Sequence, residues 1–377
     1  MNDDIHLQKY LKKNTLYKTK PHKVLDICNK FKFVINIPCF NEFEYIFKTL
    51  DSINGQCPNL LSQTLVVITI NNSINECHYI KKNNSKTYEK LINKRYLYKF
   101  IVLDCFSNQN AFKDKLAGVG LARKVGLDFS LQFIKNLDSI FCLLDADTLI
   151  DKTYLKSINL KFKINNFNAA VINFKHQKSS NNIIEKGIRK YEDLLKEIAL
   201  KIEKTGSPYG YVSMGSTIAC NARTYISVGG MNIKKATEDF YFLQSIAKYT
   251  KVQKINKILV YPSSRAENRV YLGTGHRMDE YINNNGFKNL NYSDESYFEM
   301  SKILHIINLH WNDKTEFLIE ELGNALNIKS MQFLTEKNIK EVLKKFKKNA
   351  KTKKQFLLFF NQWFDALTIM KFLKIHN

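Results

Sequence analysis

Two short acidic clusters suggest chemistry through their placement. In FCLLDADTLID, Asp145 and Asp147 directly follow an apolar run that reads as a buried strand, so both carboxylates emerge at its C-terminal end. That is the edge where open α/β sheets bind ligands. Two carboxylates one residue apart can reach a hard cation together, and Mg²⁺ or Mn²⁺ held this way can also take phosphate oxygens, which suits a diphosphate leaving group. A D-x-D triplet also occurs by chance, and an Asp that ends a strand often caps the next turn. A second acidic site shifts the balance: in TEDFYFL, Glu238 and Asp239 open a helix on which Phe240, Leu243 and Ala247 recur at helical spacing. Carboxylates are favoured at a helix start by the dipole, so this placement is also ordinary. The preceding GSTIACNARTYISVGGMN is less ordinary. Gly215, Gly229 and Gly230 flank small residues there and suggest backbone in close approach to a ligand.

Alternating strands and helices must position these groups. FVINIP opens the series, with Val34 to Pro38 as a strand, and Ile46, Phe47, Leu50 and Ile53 then follow at helical spacing after Asn41, a candidate N-cap. Further strands are read at Leu65 to Ile70, Phe100 to Asp104, Ile140 to Asp145 and Ala169 to Phe174. Leu121, Val125 and Phe129 mark a crossover helix, while Ile184, Ile188, Tyr191, Leu195, Ile198 and Ile202 mark a long helix with one apolar stripe. The alternation implies an α/β fold with a Rossmann-like, mostly parallel central sheet. Beyond residue 285 the strand signals fade, and helical periodicity covers about 297 to 311, 314 to 327, 336 to 348 and 353 to 374. The expected organisation is a basic extension over 1–30, a catalytic domain over 31–284 and a helical domain over 285–377.

With these motifs in order, residues 31 to 275 resemble the family 2 glycosyltransferases, which share the GT-A fold. VINIPCFNEFEYIFKTLDSI is similar to that family's first strand, Pro-x-x-Asn-Glu turn and helix, here Pro38, Asn41 and Glu42. DAD at 145 to 147 is similar to its metal and diphosphate motif. GGMNIKKATEDF is similar to its acceptor-side motif, with Thr237, Glu238 and Asp239 as T-E-D. The resemblance implies a nucleotide-sugar donor, Asp145 on the donor ribose or metal, Asp147 on the metal and Asp239 as the base that deprotonates an acceptor hydroxyl with inversion. Glu238 belongs to the same catalytic pair.

The resemblance also assigns the remaining donor-side residues. Asn71, where relatives carry an Asp, faces the nucleobase, and Asp104 is a second candidate for that role or else a structural cap. Lys115, Arg123 and Lys124 lie in a segment that runs near the donor diphosphate, or else on a solvated helix face. SSRAENRVYLGTGHRM clusters Arg265, Arg269, His276 and Arg277, of which Arg269 is expected on the donor and His276 as a third metal ligand, with His176 as the competing histidine. The Gln-x-x-Arg-Trp string of processive synthases does not occur, which points to transfer of one sugar or a few. The expected acceptor is a glycan, lipid-linked or small molecule in cell-surface polysaccharide or glycoconjugate synthesis.

The bulk numbers bound the rest. The chain has 377 residues, 44% of them apolar, and a formal net charge of +23 from 58 Lys and Arg against 35 Asp and Glu. Such charge attracts phosphate, anionic lipid or nucleic acid, yet lysine crowds the whole sequence and no basic nucleic-acid motif occurs, so no nucleic-acid partner is expected. Seven cysteines without a C-x-x-C pair read as reduced thiols and imply a cytoplasmic protein. MNDDIHLQKYLKK lacks the apolar core of a signal peptide, and no run is long enough to span a membrane. Seven lysines between Lys344 and Lys354 precede a stripe of Phe356, Phe360, Trp363, Leu367 and Met370. That pattern suits peripheral contact with an anionic membrane at the inner face, or simple packing of the aromatics with the lysines in water. The competing functional readings are a sugar nucleotidyltransferase, whose usual Gly-rich first loop is here PCFNEFEY, and a non-catalytic GT-A module that binds sugar or nucleotide.

Overall fold

The computed structural model describes residues 2–14, 30–267, 273–284, 286–287 and 291–376. Its strands are β1 (Phe33–Cys39), β2 (Thr64–Asn71), β3 (Lys99–Cys105), β4 (Ile140–Leu143), β5 (Leu149–Ile150), β6 (Ala169–Phe174), β7 (Ile218–Asn221) and β8 (Gln253–Tyr261). They form one sheet in the order β3-β2-β1-β4-β7-β6-β8-β5. The pairs β3/β2, β2/β1, β1/β4 and β6/β8 are parallel, whereas β7 runs antiparallel to both β4 and β6. Every residue of β1 and β2 is buried, which is why they read as unbroken apolar runs rather than as alternating strands.

The helices of this part are α1 (Asn2–Asn14), α2 (Ile46–Asn54), α3 (Pro58–Leu61), α4 (His78–Ile92), α5 (Val119–Ser130), α6 (Tyr154–Ile164), α7 (Asn182–Lys204), α8 (Ala222–Ser227), α9 (Glu238–Tyr249) and α10 (Thr274–Asn284). The chain divides into two compact units, Met1–Arg189 with Ser213–Asn283, and Lys190–Val212 with Asn284–Asn377. The first unit contains the whole sheet. The expected α/β class, with a central sheet flanked by helices and a helical C-terminal region, is the observed one.

The N-terminal helix is tied into the sheet unit by a buried polar group. Tyr10 is buried, its Oη donates to Asp128 Oδ1 at 2.7 Å, and Lys124 Nζ donates back to that Oη at 3.1 Å. Tyr225 Oη donates to the same Asp128 oxygen at 2.7 Å. Arg223 adds a two-pronged pair with Asp3, at 2.6 and 2.8 Å. Lys124 is therefore engaged inside the fold with Asp128 at 3.0 Å.

The second unit is helical: α11 (Asp294–Leu309), α12 (Thr315–Ala325), α13 (Ile328–Glu336), α14 (Ile339–Asn349), α15 (Lys353–Trp363) and α16 (Ala366–Leu373) accompany the C-terminal half of α7. Ser293, Asn327, Thr352 and Asp365 accept from backbone N–H groups at the starts of α11, α13, α15 and α16, the usual way to satisfy orphan donors there. The single helix expected over 353 to 374 is broken at Phe364, and Asp365 begins a new one. The break rotates the apolar face. Phe356, Phe360, Phe364, Ile369 and Phe372 are buried, with Phe364 edge-on to Phe372 at 5.7 Å, while Trp363, Leu367 and Met370 are only half-buried. The continuous aromatic stripe expected to meet a membrane does not exist. Among the described residues no helix is long and apolar enough to cross a membrane.

Candidate active site

The parallel strands β1, β2 and β4 deliver their C-terminal ends to one edge of the sheet, and the backbone there is pinned by side chains from neighbouring helices. After β4, Thr148 N–H returns to Asp145 O at 3.2 Å, closing a tight D-A-D turn. Thr49 of α2 donates to Ala146 O at 2.8 Å, and Gln177 Nε2 donates to Asp147 O at 2.8 Å. The turn is thus held from both sides, with its two carboxylates aimed away from the strand. After β1, Asn41 takes a left-handed conformation with φ 59° and gives its N–H to Asn84 Oδ1 at 3.0 Å. It is a turn residue. Tyr45, not Asn41, precedes the first residue of α2.

Arg123 brings the two acidic clusters together. It rises from α5, its side chain only 2% exposed, and one guanidinium nitrogen contacts Asp145 while the other contacts Glu238. A residue from the D-A-D turn and one from the T-E-D helix start therefore share a single cation. Two glycines make this possible. A methyl group at Gly215 would lie 2.3 Å from both terminal nitrogens of Arg123, so only glycine lets the guanidinium lie flat against that backbone. A methyl at Gly120, in the first turn of α5, would lie 2.5 Å from Lys234 O, so the loop leading to T-E-D packs backbone to backbone on this helix. Two of the three close approaches expected at the glycines are made, and by protein: Gly215 meets Arg123 and Gly230 meets Tyr10 Oη, whereas a methyl at Gly229 would meet nothing within 4 Å.

A second guanidinium gathers the other carboxylates. Arg265 contacts Glu42 Oε1 at 2.5 Å, Asp147 Oδ2 at 3.1 Å and Glu267 Oε2 at 3.1 Å, and it lies 4.2 Å from the centre of the Tyr45 ring. This links the turn after β1, the turn after β4 and the segment after β8. Burial pulls the Arg265 pKa down, but Asp147, Glu42 and Glu267 outweigh it and the net shift is upward.

The acids at the start of α9 are shifted the other way. Burial raises the Asp239 pKa against the opposing pull of Arg123, with Asp145 adding to the rise. Burial likewise raises Glu238, again opposed by Arg123, with Asp239 and Asp145 pushing further up. Asp239 accepts from Phe240 N–H at 2.7 Å. A half-buried carboxylate whose pKa is raised is a stronger base than an ordinary aspartate.

The other expected site residues fall out unevenly. Pro38 lies at the end of β1 opposite Thr69, and Asn71 ends β2 in a buried position with Oδ1 unpartnered among the described residues. Asp104 accepts from Phe106 N–H, Ser107 N–H, Ser107 Oγ and Asn110 Nδ2 at 2.6 to 3.0 Å. Burial would raise its pKa, but those donors prevail and hold it low. It caps a turn and has no capacity left for a nucleobase. Lys115 is exposed, Arg277 pairs with Glu280 at 2.5 Å, and Arg269 lies outside the described residues.

His276 sits half-buried on α10, and His176 is buried edge-on to Phe174 with Nε2 3.4 Å from Thr274 Oγ1. Among the described residues no three His, Cys, Asp or Glu side chains are placed together to hold a metal. Asp145 contacts Arg123 and Asp147 contacts Arg265. Arg265, Glu267, Tyr45, Thr49 and Gln177 were not expected in these roles. Their spacing along the chain carries no signal, because each meets the D-A-D turn only through the fold.

No protein-family model matches the sequence, and no curated protein matches it. Solved structures do match. A crystal structure of S. aureus TarS residues 1–349 in complex with UDP-GlcNAc has 14% identity over 90% of this chain and 91% of that one, with a TM-score of 0.44. The mannosyltransferase PcManGT from Pyrobaculum calidifontis, in complex with GDP-Man and Mn²⁺, has 10% identity over 96% and 95%, with a TM-score of 0.42. The glucosyl-3-phosphoglycerate synthase from Mycobacterium tuberculosis, in complex with Mn²⁺, UDP and phosphoglyceric acid, has 10% identity over 68% and 76%, with a TM-score of 0.39. At such identities and scores the likeness says nothing of what this chain binds.

Proposed function

We propose that the sheet unit is a nucleotide-sugar-dependent glycosyltransferase that moves a sugar from a nucleoside-diphosphate donor to an acceptor hydroxyl with inversion. The observation that carries this reading is the shared cation: Arg123 holds Asp145 and Glu238 at once, so the D-A-D turn that follows β4 and the acidic start of α9 meet at one place. The order of these motifs along the chain fits a family 2 enzyme of cell-surface glycan synthesis.

Each group has a role that follows from its surroundings. Asp239, with its raised pKa, takes the proton of the acceptor hydroxyl as the oxygen attacks the sugar. Arg123 keeps Glu238 and Asp145 in register and offsets their charge. Arg265 offers a planar guanidinium to the donor diphosphate. Asn71, at the end of β2 with an acceptor oxygen to spare, faces the nucleobase.

The donor set suits a hard divalent cation. Glu42, Asp145, Asp147, Glu238, Asp239 and Glu267 outnumber Arg123 and Arg265, so an incoming diphosphate needs further positive charge. Asp145 and Asp147 are the residues that would hold Mg²⁺ or Mn²⁺, which supplies electrostatic stabilisation of the leaving diphosphate.

Proton NMR of the product, recorded before mutarotation, tests the reaction and its stereochemistry. Inversion is expected with the wild type. Asp239→Asn should abolish turnover while donor binding persists. Retention of configuration, or full turnover by Asp239→Asn, would remove Asp239 as the base.

A further inference from the structure

The helical unit carries a separate feature that the sugar-transfer reading does not use. The stretch from Lys337 to Lys354 holds nine lysines and one acidic residue, Glu341. Lysine is abundant throughout the chain, but a composition bias would spread it evenly over the surface of the unit. The distribution is the opposite. α11 and α12 together carry Asp294, Glu295, Glu299, Glu316, Glu320 and Glu321 against Lys302 alone. The unit is therefore polar in charge, acidic on one pair of helices and basic on another.

The basic end is a built surface. On α14, Ile339 and Leu343 are buried, while Lys340, Lys344 and Lys348 follow at steps of four on the opposite, exposed face, with Lys345 beside them. Lys347 is turned inward, donating to Trp311 O and Asp313 O, so it fastens α14 to the preceding turn. Lys344 pairs with Glu341 at 3.0 Å, the one ion pair shown within the stretch among the described residues. Lys351, Lys353 and Lys354, also exposed, follow in the loop and the first turn of α15. Cations there oppose the helix dipole, an arrangement that an external anion offsets.

We propose that this lysine face is an electrostatic docking surface for an anionic lipid bilayer. Two observations select a bilayer over other polyanions. The face contains no arginine, so it offers diffuse point charges rather than the bidentate forks that read discrete phosphates. No aromatic side chain stands exposed among the lysines to stack on bases: Phe356 and Phe360 are buried, and Phe346 and Phe359 are half-buried against each other at 5.9 Å. Their burial also means that binding is by charge alone, without insertion, and is lost in salt.

The test is co-sedimentation of the full chain with vesicles of phosphatidylcholine alone or with roughly 30% phosphatidylglycerol, in about 0.1 M and about 0.5 M salt. Binding is expected only to the anionic vesicles and only at the lower salt. The combined variant K345E, K348E, K353E and K354E should bind about a thousandfold more weakly, from the attraction each lysine contributes near such a surface. An equal charge change elsewhere, K82E, K86E, K156E and K163E on exposed positions of α4 and α6, should leave binding intact. Should the first variant fold poorly, Lys→Gln at the same four positions carries the test. Equal losses in the two variant sets, no binding to anionic vesicles, or tighter binding to duplex DNA than to vesicles of equal charge would overturn the proposal. Sugar-transfer activity towards a soluble acceptor should be the same in all variants, so its failure and that of the membrane proposal are distinguishable.

Discussion

Replacing Arg123 with methionine tests the electrostatic core of the site, because the substitution keeps most of the buried volume and removes only the charge. In the native protein the guanidinium sits between Glu238, whose side chain is 5% exposed, and Asp145, whose side chain is 38% exposed. Asp145 can recruit water, so its share of the loss is screened and small. Glu238 cannot. Removing one partner of a buried pair costs about 3–5 kcal/mol, because the remaining charge is left without compensation.

Glu238 has an escape, which is to bind a proton, and this makes the cost depend on pH. Its native pKa is already raised by burial and is restrained chiefly by Arg123. A group whose native pKa lies above its unfolded value contributes stability that is fully present below the unfolded pKa and lost as pH rises through the native one. Without Arg123 the native pKa rises further, and each unit of that rise adds about 1.4 kcal/mol at high pH. Urea unfolding of wild type and Arg123→Met from pH 5 to pH 8.5 should therefore show a deficit of about 3–5 kcal/mol at the alkaline end, shrinking towards the roughly 1 kcal/mol of a volume-matched swap at the acid end. A deficit that stays constant across this range would mean that Arg123 matters by packing and not by charge. Absence of a deficit at pH 8.5 would mean that the two acidic clusters are not bridged at all.

Gly215→Ala places a methyl group against the Arg123 guanidinium and should cost about 1–3 kcal/mol by urea unfolding, with a loss of turnover, whereas Gly323→Ala in α12, where a methyl meets nothing, should not destabilise. Tyr10→Phe removes a buried hydroxyl that donates to Asp128 and accepts from Lys124, and thermal unfolding should report a loss of about 1–2 kcal/mol although the residue lies in the first helix. Asp104→Asn should destabilise by about 1–2 kcal/mol above the unfolded carboxylate pKa, because a depressed native pKa contributes stability that is lost as pH falls through it. In a competition assay between nucleotides, Asp104→Asn should leave base preference unchanged, while Asn71→Ala should relax it.

The strands that are buried on both faces were legible, and the physical reason is visible in them. β1, β2 and β6 expose almost nothing, so their residues had to be apolar throughout and the runs marked them to within a residue or two. β8 was not legible. Lys254, Asn256 and Lys257 interrupt its apolar residues, and β5 is only two residues long. The break between α15 and α16 was hidden because helical spacing continues across Phe364 even though the helix does not, and α13 was missed where Leu334 is its one large buried apolar side chain.

The acidic clusters could be read from sequence because strand ends and helix starts are local features. Their arginines could not. Nothing local distinguishes Arg123, which lies flat on Gly215, from Lys124 one residue on, which turns to Tyr10 and Asp128. Arg265 and Arg269 likewise read alike until the fold brings Arg265 to Asp147 and Glu42. Asp104 shows the converse: a carboxylate at the right strand end whose own turn consumes every lone pair that a ligand would use.

A thermal-shift screen of nucleoside diphosphates and nucleotide sugars with and without Mn²⁺, run on the wild type and on Asp147→Asn, tests the central claim most directly. At a hundred times its dissociation constant a donor should stabilise the wild type by about 2.7 kcal/mol, and Asp147→Asn should lose the Mn²⁺-dependent part of that shift. If no nucleotide shifts the wild type, or if the Mn²⁺-dependent shift survives intact in Asp147→Asn, the meeting place of the two acidic clusters is not a donor site.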